Sequence, residues 1–124
     1  MIVTPGDLDH IVRIISGGWT EDFLSRLNFQ AAFVSAAGLS LERGLTTTRQ
    51  SLAGTLRAAR PVSQRTVALI DSTKIGRDSL LTIFTAYEPD EIIADDAAPN
   101  DLIAEYRAAG VNLTVAEPTP VPVR

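Results

Sequence analysis

The stretch VALIDSTKIG (residues 67–76) joins four apolar residues directly to an acid, two hydroxyl residues, a lysine and a glycine. With the two residues before it, the apolar part forms RTVALID (65–71), which predicts the clearest strand in the chain because β-branched and apolar residues dominate it. The polar part that follows predicts a turn. Lys74 is the only lysine, and every other cationic side chain is an arginine.

Composition limits the classes of protein to which the chain can belong. The 124 residues suffice for one domain with one core, and 45% of them are hydrophobic. A net charge of −4 argues against a general nucleic-acid surface, and the absence of cysteine excludes disulfides and thiolate metal sites. No apolar run is long enough to cross a membrane, and the N-terminus does not resemble a signal peptide. We therefore expect a soluble cytoplasmic domain without a membrane partner.

Strands and helices alternate on both sides of this stretch. Strands are predicted at HIVRIIS (10–16), residues 31–35, RTVALID, DEIIAD (90–95) and VNLTVA (111–116). Helices are predicted at TEDFLSRLN (20–28), with Thr20 as N-cap, at RQSLAGTLRAAR (49–60), with a threonine as cap and Pro61 as stop, and at PNDLIAEYRAAG (99–110), with Gly110 as stop. SLLTIFT (79–85) fits a strand or a short helix, and LSLERGLTTT (39–48) is predicted as a loop. This alternation predicts an α/β fold with a mainly parallel sheet and helices on its faces.

Ligands of open parallel sheets bind outside the carboxyl ends of the strands. Three segments follow such ends: residues 35–47, 71–76 and 95–100. The candidate ligand-binding residues in the first two are Ser35, Gly38, Gly44, Thr46, Asp71 and Lys74. Glycines allow backbone N–H groups to approach a ligand, while hydroxyls and an ammonium bind phosphate or sugar oxygens. This pattern predicts a site for an anionic sugar.

Structural interpretations of the same residues stay open. Asp71 and Ser72 can cap the turn through the backbone, the two glycines can serve as turn residues, and Lys74 can be solvated. Asp95 and Asp96 fit a metal or acid–base pair, but acids after a strand also form turns or caps.

His10 and Trp19, each the only residue of its type, are weak candidates for a functional role. His10 has no second histidine or cysteine with which to share a metal, so a metal site is not expected. A Ser-His-Asp triad of Ser35 or Ser72 with His10 and Asp71 is not expected either, because no nucleophile elbow supports it. Trp19 is interpreted as a core or interface aromatic.

Five segments in order resemble the effector-sensing domain of DeoR-type transcriptional repressors. They are FQAAFVSAAGLSLERGLTT (29–47), the Ala/Arg-rich helix, VALIDSTKIG, DEIIADD (90–96) and LIAEYRAAGVNLTVA (102–116). Each motif alone is weak, but their order is specific. The resemblance implies a Rossmann-like fold and a sugar-phosphate effector, with Lys74 at the phosphate site. On this basis residues 1–116 are the C-terminal portion of a sensing domain and residues 117–124 are a Pro-rich tail.

The chain also departs from the family pattern. It lacks the helix-turn-helix and the phosphate-cradling loop of the family, so we expect a C-terminal fragment that does not itself bind nucleic acid. Gln30 stands where the family has an aspartate, which disfavours catalysis. No catalytic residue, metal or cofactor is predicted. The alternatives are an enzyme of the sugar-phosphate isomerase or deaminase type, and a structural fragment with an incomplete site. A sheet that lacks strands would expose an edge, which predicts a homo-oligomer.

Overall fold

The structure, a computed structural model, describes residues 1–118. Residues 119–124, most of the predicted Pro-rich tail, lie outside the described residues. The described chain forms nine strands and three helices. They are β1 (Asp7–Asp9), β2 (Ile14–Ser16), α1 (Gly18–Leu24), β3 (Phe29–Val34), β4 (Gly38–Ser40), β5 (Gly44–Thr47), α2 (Gln50–Ala59), β6 (Ser63–Ile70), β7 (Leu81–Phe84), β8 (Glu91–Ala94), α3 (Asn100–Ala108) and β9 (Leu113–Val115).

Four strands form a parallel sheet in the order β3-β6-β8-β9. Its register places Val34 opposite Ala68, Ala68 opposite Ile92, and Ile92 opposite Leu113. All four of these side chains are buried, which is why the apolar runs of the sequence pair in this register. The prediction of an α/β fold with a parallel sheet and flanking helices is confirmed.

A second sheet, antiparallel and ordered β4-β5-β7, was not predicted. The prediction of a loop at 39–48 is wrong, because β4 and β5 pair there as a hairpin with Leu39 opposite Leu45. The segment SLLTIFT is a strand, β7, and pairs with β5 rather than joining the parallel sheet. Strands of three or four residues contain too few alternations to give a sequence signal, and only tertiary packing specifies them.

The N-terminal region also differs from the prediction. Only Ile14–Ser16 of the predicted first strand is extended, and it pairs with β1 in a separate two-stranded sheet. The helix after it begins at Gly18, with Gly17 as N-cap. Thr20 is therefore not the cap; its side chain is fully buried, and its hydroxyl donates to the Pro5 carbonyl at 2.6 Å.

The other two helices, α2 and α3, agree more closely with the helices predicted from the sequence. The N-cap of α2 is Arg49 and makes no side-chain capping bond, so the predicted threonine cap is wrong. Pro61 does end the α-helix, which passes into a short 3-10 turn at Arg60–Val62. Gly110 adopts a positive φ of 96° just after α3, and the Val111 amide donates to the Tyr106 carbonyl at 3.1 Å. The predicted glycine stop is confirmed.

The core lies between one face of the parallel sheet, the antiparallel sheet, and helices α2 and α3. Leu39 holds these layers together, since its carbonyl accepts from the Gly76 amide at 2.7 Å and from the Tyr106 hydroxyl at 3.2 Å. Burial raises the pKa of that hydroxyl. Trp19 is 78% exposed and so lies outside the core. Of its two interpretations, a core or an interface aromatic, only the second remains.

Candidate functional site

The polar turn after β6 lies at the carboxyl edge of the parallel sheet. Residues Ser72–Lys74 form one 3-10 turn, and Asp71 is its N-cap. The Thr73 amide donates to the Asp71 carboxylate at 2.9 Å, while the Lys74 amide donates to the Asp71 carbonyl at 2.9 Å. The capping role of Asp71 is confirmed, and one carboxylate oxygen stays available beside it.

Asp95 connects this turn to the neighbouring strand. It follows β8, and its carboxylate accepts from the Ser72 amide at 2.5 Å and from the Ala97 amide at 3.2 Å. The bond from Ser72 lowers the pKa of Asp95 below its usual value, since an N–H donor stabilises the charged form. Of the two interpretations of Asp95, a member of a metal or acid–base pair and a turn former, these bonds support the second. Among residues 1–118 no cluster of potential ligands suitable for a metal ion is found.

The turn and the two strand ends form one wall and the floor of an open concavity of about 480 Å³. Apolar residues Leu69 and Ile93 belong to its lining, together with Asp71, Lys74 and Asp95. Lys74 is half-buried, and no ion pair within the described residues involves it. The concavity therefore combines one ammonium with a carboxylate that can accept hydroxyl hydrogens.

The other four predicted ligand-binding residues lie apart from this lining. Ser35 is exposed just beyond β3, while Gly38, Gly44 and Thr46 are buried in the antiparallel sheet. The Thr46 hydroxyl already accepts from the Ser79 amide at 2.9 Å and donates to the Gly38 carbonyl at 3.4 Å. The structure gives these three buried residues packing roles, and a contact between any of the four and a ligand stays a prediction.

Five lining residues were missed by the sequence analysis: Leu69, Ile70, Ile93, Ala94 and Ala116. A usable signal was present, because Leu69 lies two residues before Asp71, and Ile93 two before Asp95. Alternate residues of a strand share a face, so each apolar residue had to lie on the same side of the sheet as the acid that follows.

The link between Asp95 and Ser72 predicts a pH-dependent effect of Asp95→Asn. The folded-state pKa of Asp95 is lowered, so its stabilising contribution is present above the unfolded value of about 3.9 and disappears as pH falls through the folded value. We expect the melting temperature of the variant to lie below wild type near neutral pH, and the gap to close below about pH 4.

The control for this prediction is Asp96→Asn, because the exposed Asp96 side chain makes no hydrogen bond to the described part of the chain. Its melting temperature should follow that of wild type at every pH in scanning calorimetry. A gap between Asp95→Asn and wild type that stays constant down to pH 2 would contradict the assignment.

The turn after β6 and the end of β8 both lie within the part of the chain that matches a known family. The model of the DeoR C terminal sensor domain matches residues 1–96. The chain belongs to the DeoR C-terminal sensor domain family. No helix in the first 118 residues combines the length and apolar character needed to cross a bilayer.

Three curated relatives are transcriptional regulators by name. The "Putative aga operon transcriptional repressor" of Escherichia coli O157:H7 is 30% identical over 91% of this chain and 42% of its own length. The HTH-type transcriptional regulators GlpR of Haloferax volcanii and GolR of Listeria innocua are each 29% identical, over 90% and 94% of this chain. This DeoR-family chain spans less than half the length of each relative, since it covers 44% and 46% of the latter two.

Proposed function

We propose that this DeoR-family chain is the effector-binding part of a cytoplasmic transcriptional regulator and that it binds a phosphorylated sugar in the concavity beside Lys74. The observation that carries the proposal is the position of the single lysine, at the carboxyl edge of the parallel sheet and without an ion-pair partner among residues 1–118. In this proposal DNA contact belongs to another part of the regulator, because two of the relatives are named for a helix-turn-helix.

A sugar phosphate fits the two kinds of polar group in the concavity. The ammonium of Lys74 pairs with phosphate oxygens, and such charge-assisted bonds are stronger than neutral ones. The Asp71 carboxylate keeps an acceptor oxygen for sugar hydroxyls, since only one of its oxygens receives the Thr73 amide. The apolar floor at Leu69 and Ile93 suits the C–H face of a sugar ring.

The same geometry supports binding rather than catalysis. A general base must accept a proton, but Asp95 already accepts two backbone amides and its pKa is lowered. Gln30 offers no carboxylate in its place. The relatives are named as regulators, and we propose that this chain likewise turns over no substrate.

Lys74→Ala tests the binding site. In a thermal-shift titration against ribose 5-phosphate, glucosamine 6-phosphate and further sugar phosphates, we expect at least one compound to raise the wild-type melting temperature. The lysine variant should lose this rise, since removing a charge-assisted contact costs about 1.5–3 kcal/mol, a tenfold or greater loss of affinity.

Arg77→Ala is the matched control, because Arg77 is an exposed cation three residues further along and lies outside the lining of the concavity. It should retain the full rise. If the whole panel leaves wild type unchanged, or if both variants lose the rise equally, the proposal is wrong.

The exposed edge of β3 supports the proposal that isolated copies of the chain associate. β3 is the first strand of the sheet order, and its outer edge pairs with no strand within the described residues. Phe33 on this strand is 67% exposed, and an apolar unpaired edge favours strand addition. We expect sedimentation to show a concentration-dependent oligomer that Phe33→Lys reduces to monomer. Identical sedimentation of the two proteins would contradict this route.

A further inference from the structure

A second concave surface lies between the β1–β2 sheet and the start of α1. It has a volume of about 390 Å³, and we call it the Trp19 cleft; its lining residues are Gly6, Asp7, Ser16, Gly17, Gly18 and Trp19. None of them belongs to the lining of the concavity beside Lys74. The Trp19 cleft is therefore a separate surface, and a ligand bound there would be additional to the proposed effector.

Glycines keep the Trp19 cleft open. Gly6 and Gly17 have positive φ values of 145° and 111°, which residues with a side chain rarely adopt. A Cβ at Gly17 would lie 3.3 Å from the Asp7 carboxylate, and one at Gly18 would meet no heavy atom within 4 Å. The side chains that line the cleft are therefore those of Asp7, Ser16 and Trp19.

Ser16 supplies a hydroxyl that forms no hydrogen bond within the described part of the chain. The residue is 8% exposed, so it is more than nine-tenths buried. Every fully buried polar side-chain atom of residues 1–118 does have a partner. The Ser16 hydroxyl therefore keeps its accessible surface toward the cleft that it lines, where its bonds go to whatever occupies the cleft.

Asp7 supplies the only charge in the lining. It lies directly opposite Ser16 in the register of β1 and β2, and residues opposite each other share a face of the sheet. Its carboxylate takes part in no ion pair among the first 118 residues. A free carboxylate accepts ligand hydroxyls in charge-assisted bonds, but it repels a phosphate.

Trp19 adds a large apolar ring beside these two polar groups. Its 78% exposure leaves most of the indole in contact with water, so a ligand that covers the ring removes apolar area from solvent. The C–H face of a sugar ring has the right character, because its hydroxyls lie around the edge. The concave shape and the two free polar groups favour a small ligand of this kind over a protein surface.

We propose that the Trp19 cleft binds a neutral, unphosphorylated sugar, whose ring stacks on Trp19 and whose hydroxyls bond to Asp7 and Ser16. The volume of about 390 Å³ lies in the range of small-molecule sites. An organic cation fits less well, because sites for such cations surround them with several aromatic rings and this lining contains one. The proposal does not depend on effector binding beside Lys74.

Tryptophan fluorescence tests the proposal directly, because Trp19 is the only tryptophan of the chain. The full chain is titrated with glucose, galactose, mannose and their N-acetylamino counterparts. We expect at least one of them to shift the emission to shorter wavelength, with saturation, as the ring covers the indole. The 6-phosphate of that sugar should bind about tenfold more weakly, owing to repulsion by Asp7. Tetramethylammonium should cause no shift.

Two variants test the polar contacts without removing the fluorophore. Asp7→Asn should weaken binding of the sugar about tenfold, since it removes a charge-assisted acceptor, and Ser16→Ala should weaken it several-fold. Both should melt as wild type does, because neither side chain stabilises the described chain through an ion pair or a hydrogen bond. Asp22→Asn is the matched control: Asp22 is an exposed acid of α1 outside the lining, and this variant should bind as wild type does.

Several results would overturn the proposal. They are the absence of a shift with every sugar, equal binding by Asp7→Asn and Asp22→Asn, and equal binding of a sugar and its 6-phosphate. A shift with tetramethylammonium but not with sugars would assign the cleft to an organic cation instead. An emission shift that grows with protein concentration in the absence of sugar would place Trp19 at an interface between copies and would equally overturn it.

Discussion

Gly44→Ala is expected to lower the free energy of unfolding by about 2–5 kcal/mol, the sum of left-handed backbone strain and overpacking. Gly44 begins β5 with a φ of 74°, a conformation that costs a residue with a Cβ about 1–2 kcal/mol. A Cβ at this position would also meet the Phe84 carbonyl oxygen and lie 2.7 Å from the Thr85 Cα. Both neighbours are backbone atoms, so relief requires displacement of β7 against β5.

Gly76→Ala separates the two costs. Gly76 has a similar φ of 83°, but a Cβ there meets no heavy atom within 4 Å. This variant should lose only the conformational part, about 1–2 kcal/mol. Urea denaturation of both variants measures the difference, and equal losses would show that the contact with β7 relaxes without cost.

The long elements of the fold could be predicted from the sequence. β6 contains eight residues and α3 is bounded by Pro99 and Gly110, so local composition and the tertiary structure favour the same outcome. The short hairpin β4–β5 could not be predicted, because its three and four residues are held by burial of Leu39 and Leu45. Thr20 illustrates the same limit: its sequence is that of a helix cap, but burial under Pro5 determines its role.

The candidate site was predictable to a similar extent. The rule that ligands lie at the carboxyl ends of parallel strands led to Asp71 and Lys74, which do lie in one concavity. It did not show that Asp95 would bond to the Ser72 amide, since that contact depends on the register of β6 against β8. It also placed Thr46 at the edge of a loop, whereas the antiparallel sheet buries its hydroxyl completely.

Leu39→Ala is expected to lower the free energy of unfolding by about 2–5 kcal/mol, the range for removing a buried leucine side chain. Leu39 is fully buried in β4, the strand that the sequence does not reveal. It contacts both layers: its side chain belongs to the common core, and its carbonyl binds Gly76 and Tyr106. The cavity cannot close easily, because strands on both sides are fixed by their own hydrogen-bonded neighbours.

Leu80→Ala is the matched control, since Leu80 is 77% exposed just before β7 and its truncation should change stability by no more than about 0.5 kcal/mol.

A second consequence separates Leu39 from an ordinary core position. Because Gly76 ends the turn that carries Lys74, displacement of β4 should also weaken the proposed sugar-phosphate binding in the Leu39 variant at temperatures where it remains folded. If Leu39→Ala is as stable as Leu80→Ala, the antiparallel sheet contributes little to the core, and the bonds of Asp71 and Asp95 hold the turn instead.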